Sequence, residues 1–208
     1  MHTDGPQHVS REPSRASRVG RPSKVAERRA EIVDSFIGLV ARYGLEEVTL
    51  EAVAVDAGVQ RAAARHYVGN RQELIAAAVD ELTLRYQSSV RAAVGDQPSI
   101  ERLLDALFGR LWVSELTDVD NAFDVLLQEA ARHEPTRRAV RRAYETLLGE
   151  LENALKRSRP LMSSLERRDT AYAIACLAEQ NVVMQQLGFP VARSRAAKAC
   201  ARALVPPA

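Results

Sequence analysis

TLEAVAVDAGVQRAAARHYVGN, residues 49–70, holds two short helical patterns on either side of a single glycine. Leu50, Val53, Ala54 and Ala57 fall on one face at helical spacing, and Thr49 stands where its hydroxyl caps the first turn. Gly58 stops that segment and permits the left-handed backbone of a tight turn, with Val59 placed to plug the angle between the two helices. Residues 60–67 are helix-compatible again, and Gly69 and Asn70 punctuate their end. Two short helices joined this tightly are what a helix-turn-helix requires; by geometry alone they also fit an ordinary three-helix subdomain.

Working outward, Ile32, Val33, Phe36, Ile37 and Val40 form an amphipathic helix upstream, with Gly44 at its C-cap position. Downstream, Asn70 and Glu73 have capping-box spacing and open a long helix whose inward face is Leu74, Ile75, Ala78, Val79, Leu82, Tyr86 and Val90, ending near Gly95. Ile100, Leu103, Leu104, Leu107, Phe108, Leu111 and Trp112 keep helical spacing with large side chains, which predicts a deeply buried helix. Phe123, Leu126, Leu127 and Ala130 mark another, and Pro135 suits the first turn of its successor, which carries Val140, Tyr144, Leu147, Leu148, Leu151 and Leu155 inward. Ser163 and Glu166 form a second capping box opening a helix through Leu187, and an Ala-rich helix runs from about Ser194 to Leu204. No segment reads as a strand, so the expected fold class is all-α with about nine helices.

The 208 residues, 46% hydrophobic and 27% charged, have the balance of a soluble globular protein. The formal net charge of +2 does not announce a nucleic-acid binder; its distribution is more informative. Residues 1–20 lack a hydrophobic period and read as a flexible tail, and residues 11–29 hold Arg11, Arg15, Arg18, Arg21, Lys24, Arg28 and Arg29 against Glu12 and Glu27. This basic arm suits either a DNA phosphate track or a solvated tail, with Arg21 the best contact because it adjoins the folded part. Arg61, Arg65, His66 and Arg71 lie where no acidic residue intervenes between Asp56 and Glu73, giving the third helix a positive face. Ala62, Ala63 and Ala64 are small enough to let that helix enter a major groove.

Residues 20–82 resemble the N-terminal domain of the tetracycline-repressor (TetR) family of bacterial regulators. The resemblance is carried by Gly20-Arg21-Pro22, Arg29-Ala30-Glu31-Ile32, Tyr43-Gly44, Thr49-Leu50-Glu51-Ala52-Val53-Ala54, Ala57-Gly58-Val59, His66-Tyr67 and Asn70-Arg71-Gln72-Glu73-Leu74. It implies that Thr49, Arg61, His66, Tyr67 and Arg71 sit where family members touch DNA, with Tyr67 and Arg71 facing phosphates. Tyr67 also lies on the inner stripe of its helix, which makes it equally a packing residue. The chain departs from the family at Arg65, where an aromatic residue is frequent, at Val68 for Phe, at Arg71 for Lys, and at Gln60 for a capping Ser. These departures bear on the target sequence: Arg65 adds a phosphate or guanine contact, and Gln60 lacks the usual hydroxyl cap. The expected DNA-contacting set is therefore Arg21, Thr49, Gln60, Arg61, Arg65, His66, Tyr67 and Arg71.

The expected organisation is a basic tail (1–20), a helix-turn-helix domain (21–70) and a helical effector-binding and dimerisation domain (71–208), with 71–94 connecting them. Phe108, Trp112, Phe123, Leu127 and Tyr144 suit an apolar effector pocket, with Gln128 and Gln180 as polar groups, although the same apolar faces equally build a core. His133, just before Pro135, reads as a helix-end residue. Ala175, Ala178, Val183, Leu187, Ala196 and Cys200 suit a two-fold four-helix interface, the homodimer that a palindromic operator needs. Cys176 and Cys200 read as buried thiols of a reducing cytoplasm, and the chain shows neither a signal peptide nor a membrane span.

His2, His8, His66 and His133 are scattered, and no phosphate loop, metal pattern or nucleophile elbow occurs, so neither a catalytic nor a metal site is expected. No cofactor is expected beyond a small-molecule effector. The functional expectation is a cytoplasmic transcriptional repressor that binds double-stranded DNA and leaves it when the effector binds. A helical adaptor that binds a protein and no DNA is the alternative.

Overall fold

The structure is a computed structural model that describes residues 24–109 and 117–207. Nine α-helices are seen among the described residues: α1 (Lys24–Tyr43), α2 (Leu50–Asp56), α3 (Arg61–Val68), α4 (Arg71–Val94), α5 (Ile100–Leu107), α6 (Thr117–Ala130), α7 (Glu134–Ser158), α8 (Ser164–Gln186) and α9 (Ser194–Ala203). A single 3-10 turn, Val191–Arg193, precedes α9, and no strand occurs among the described residues. The basic tail with Arg21, and also Leu111 and Trp112, lie outside the described residues.

The helix ends follow their caps. Asn70 Oδ1 accepts from the N–H groups of Gln72 (2.8 Å) and Glu73 (3.0 Å), while Glu73 Oε2 accepts from Asn70 N–H at 2.7 Å, a complete capping box. Ser163 and Glu166 repeat the device at the start of α8. Gly69, with φ +75°, turns the chain from α3 into α4, and a Cβ there would stand 2.0 Å from Glu73 Oε2.

Two apolar cores form. One joins α1, α2, α3 and the first half of α4 to Ala122, Leu126 and Ala130 of α6 and to Ala139 and Val140 of α7. The other joins Val94, α5, the C-terminal half of α7, α8 and Ala201 of α9. The first core is continuous across residue 70, because α1 packs along α6. The helix-turn-helix is thus seated on the larger helical body, with Arg85 of α4 ion-paired to Asp34 of α1.

Three expectations are corrected by this packing. Ala64 is fully buried in the first core and holds α3 to its neighbours, so only Ala62 and Ala63 remain near the outer surface. Cys176 and Cys200 are both exposed thiols. In α8 the buried stripe is Ala171, Ile174, Ala175 and Ala178, which rotates Cys176 to the outside. Ala175 and Ala178, expected in a subunit interface, belong to the second core; their small side chains let α8 pack closely within its own chain.

Candidate functional site

The reading head is built from α2, α3 and the turn between them. Thr49 Oγ1 accepts from Ala52 N–H at 3.1 Å, capping α2. Gly58 adopts φ +64°, and the N–H of Val59 donates to Ala54 O at 2.9 Å, closing the turn while Val59 packs on the first core. Gln60 is the N-cap of α3 and gives it no side-chain hydrogen bond. Ala64 and Val68 are buried and Tyr67 packs partly against the core. Arg61, Arg65 and His66 point to solvent beside exposed Thr49 and Gln60.

The positive face is only lightly tied down. Arg61 stands 3.7 Å from Glu51, both side chains being well exposed, an ion pair worth little in water and easily exchanged for a phosphate. Arg65 has no ion-pair partner among the described residues. His66 and Tyr67 meet edge to face, with ring centroids 5.6 Å apart. Arg71, expected at a phosphate, has a structural job as well: its guanidinium donates to the carbonyls of Val48 and Leu45 in the loop before α2.

A cavity opens further along, between α4, α6, α7 and α8. Tyr86, Phe123 and Tyr144 form its aromatic wall, with edge-to-face centroid distances of 5.9 Å (Tyr86 to Phe123) and 6.0 Å (Phe123 to Tyr144). Its polar groups are paired across helices: Tyr144 donates to Glu179 at 3.2 Å, Gln87 to Glu150 at 3.2 Å and Gln186 to Asp124 at 2.8 Å. Burial pushes the Tyr144 phenol well above its ordinary range, reinforced by the Glu179 carboxylate, so the hydroxyl remains a donor. Burial likewise raises Glu150.

Of the residues expected at an effector pocket, Phe123 and Tyr144 line this cavity. Phe108 is buried in the second core at the end of α5, apart from the cavity lining. Leu127 and Gln128 lie on the exposed side of α6, because Ala122, Leu126 and Ala130 form its buried stripe. Gln180 is exposed on the outer face of α8. Trp112 lies outside the described residues. The carboxylates that do line the cavity, Asp124, Glu150 and Glu179, were missed; Glu150 interrupts the series Ala143 and Leu147, and Glu179 the series Ala175 and Val182, at inward-facing helical spacing.

The same arrangement of a seated helix-turn-helix and helical body occurs in solved regulators. One is a TetR-family transcriptional regulator from Cytophaga hutchinsonii, with TM-score 0.72, 15% identity and coverage of 89% of this chain and 96% of that one. Another is a TetR-family member from Streptomyces coelicolor, with TM-score 0.68, 20% identity and coverage of 87% and 99%. The chain has the TetR-family fold.

The multidrug binding protein EbrR, in its complex with imidazole, shares this TetR-family fold with TM-score 0.67 and 19% identity over 87% of this chain and 97% of its own; its ethidium complex also gives 0.67. In sequence, the helix-turn-helix transcriptional regulator BetI of Brucella anthropi is 29% identical over 138 residues, 64% of this chain and 71% of that protein. BetI of Brucella canis is 34% identical over 67 residues, and the chain spans only 34% of its length. No protein-family model matches the chain.

One outer surface of this TetR fold is unusually apolar. Tyr172, Cys176, Val183 and Leu187 recur at helical spacing along the exposed face of α8, with Tyr172 64% and Leu187 70% exposed. Ala196 and Cys200 are exposed on α9. No helix among the described residues is long and apolar enough to cross a membrane, and no group of His, Cys, Asp and Glu there is placed to hold a metal ion.

Proposed function

We propose that this chain is a DNA-binding transcriptional regulator, a repressor that grips a two-fold operator as a homodimer and is released by a small-molecule effector. The observation that carries the reading is the exposed row of Arg61, Arg65 and His66 on α3, presented by a capped helix-turn-helix whose opposite face is locked into the core. Charged side chains at these positions reach phosphates and base edges when α3 enters a major groove, with Thr49 and Gln60 at the helix starts beside the backbone. Tyr67 serves the phosphate backbone with its hydroxyl while its ring packs inward, and Arg21 extends the contact from the basic arm.

The exposed stripe of Tyr172, Val183 and Leu187, continued by Ala196 and Cys200, supports pairing of α8 and α9 with a second copy. Two heads in fixed relation then match an inverted repeat. The cavity supports an effector role, as does the binding of small molecules by the fold neighbour EbrR. Its open volume is about 80 Å³, so a drug-sized ligand must spread the helices to enter. The cavity is lined by α4, which starts at Arg71 in the head, and by α6, which packs on α1; spreading either moves the head. A ligand shifts that equilibrium only by its differential affinity for the two spacings.

Selection of bound duplexes from a random pool, at low and moderate salt, tests this function. A palindromic consensus is the expected result. No enrichment at either salt overturns it in favour of an adaptor that binds protein alone.

A further inference from the structure

We propose that the cavity between α4, α6, α7 and α8 takes a flat, hydrophobic organic cation, whose rings lie against Tyr86, Phe123 and Tyr144 and whose charge faces Glu150 and Glu179. This rests on the effector reading above and adds the chemical class of the ligand.

The first observation is the wall. Three aromatic rings in consecutive edge-to-face contact present electron-rich faces to the space between them, a surface that attracts planar rings and, more strongly, cations. Rings alone serve a neutral ligand equally well.

The second observation is charge. Asp124, Glu150 and Glu179 all line the cavity, and no Lys, Arg or His does. Across the cavity they accept hydrogen bonds from neutral donors: the amides of Gln186 and Gln87 and the phenol of Tyr144. The nearest cation on the Glu150 flank, Arg91, is held 3.0 Å from Asp96 outside the cavity. An anionic ligand would meet three like charges in a partly desolvated space. A cation restores to Glu150 the compensation that burial removes, and carboxylates in an otherwise apolar cavity cost stability unless something of opposite charge uses them.

Charge selection is tested with three tricyclic probes of matched size, each titrated into full-length protein without DNA and followed by probe fluorescence: aminoacridinium (cation), anthracene carboxamide (neutral) and anthracene carboxylate (anion). Aminoacridinium is expected to bind at least about tenfold more tightly than either other probe. Glu150→Gln and Glu179→Gln are each expected to weaken the cation about tenfold and to leave the carboxamide unchanged. Carboxylate or carboxamide binding as tightly as the cation overturns the charge selection while leaving an effector cavity in place. Failure of all three probes to bind overturns both. The probe comparison on the unmodified protein stands even where a substitution impairs folding.

Discussion

The guanidinium of Arg71, at the first position of α4, donates to the backbone carbonyl of Val48, one residue before the cap of α2. With a second bond to Leu45, this arginine ties the start of the connecting helix to the loop that positions the reading head. Arg71→Gln is expected to lower stability by about 1–3 kcal/mol, the usual worth of hydrogen bonds from a charged donor. Denaturant unfolding measures it. An arginine that served phosphate alone would leave stability untouched.

DNA recognition separates by position along α3. Arg65→Ala and His66→Ala are expected to cost about 1–3 kcal/mol on the selected operator and to relax its sequence preference if they read bases. Arg61, exchanging Glu51 for a phosphate, is expected on Arg61→Ala to weaken all duplexes alike and to reduce the slope of log affinity against log salt by about 1. Salt titrations on consensus and scrambled duplexes distinguish the two classes. Equal losses on both duplexes for all three variants would remove α3 from base reading.

Gly69 couples turn geometry to capping. Any side chain there must adopt a left-handed backbone and displace Glu73 from the capping box of α4. Gly69→Ala is therefore expected to cost about 1–3 kcal/mol, combining backbone strain and cap loss. Thermal unfolding followed by circular dichroism reads this directly.

Glu150 gives the pH dependence a sign. Because burial raises its folded pKa, its contribution favours the folded state at low pH and is lost as pH rises through that raised value. Glu150→Gln removes the ionisation, so the variant is expected to melt above the parent at neutral pH, by roughly 1–2 °C after solvent screening, with the gap closing as pH falls towards the ordinary carboxylate range. A gap that widens on acidification would contradict the assignment.

The apolar stripe of α8 predicts assembly. Val183→Glu with Leu187→Glu places charge at two exposed positions that touch neither core, so folding is expected to survive while the dimer dissociates and operator affinity collapses. Light scattering reads the mass. An unchanged mass in a monomeric parent would move dimerisation elsewhere.

The sequence by itself determined the helices and their ends, since those are local matters: a 3.6-residue apolar period, Thr49, Asn70 and Ser163 as caps, and glycines where the backbone turns left-handed. The helix-turn-helix was legible for the same reason, its turn and both helices lying within residues 49–70. The outward Arg61, Arg65 and His66 followed once Val53, Ala54, Val68 and Val59 were recognised as the inner side. Only the tertiary structure decided which small residues serve the core and which face a partner. Ala175 and Ala178 look no different from Ala196 in sequence, yet the approach of α7 buries the first two. The cavity was equally hidden, because Tyr86, Asp124, Glu150 and Glu179 come from four helices far apart along the chain, and their shared chemistry exists only where those helices meet. Arg71 completes the contrast: its charge and its place in a basic run were plain, but the carbonyls of Leu45 and Val48 reach it only through folding.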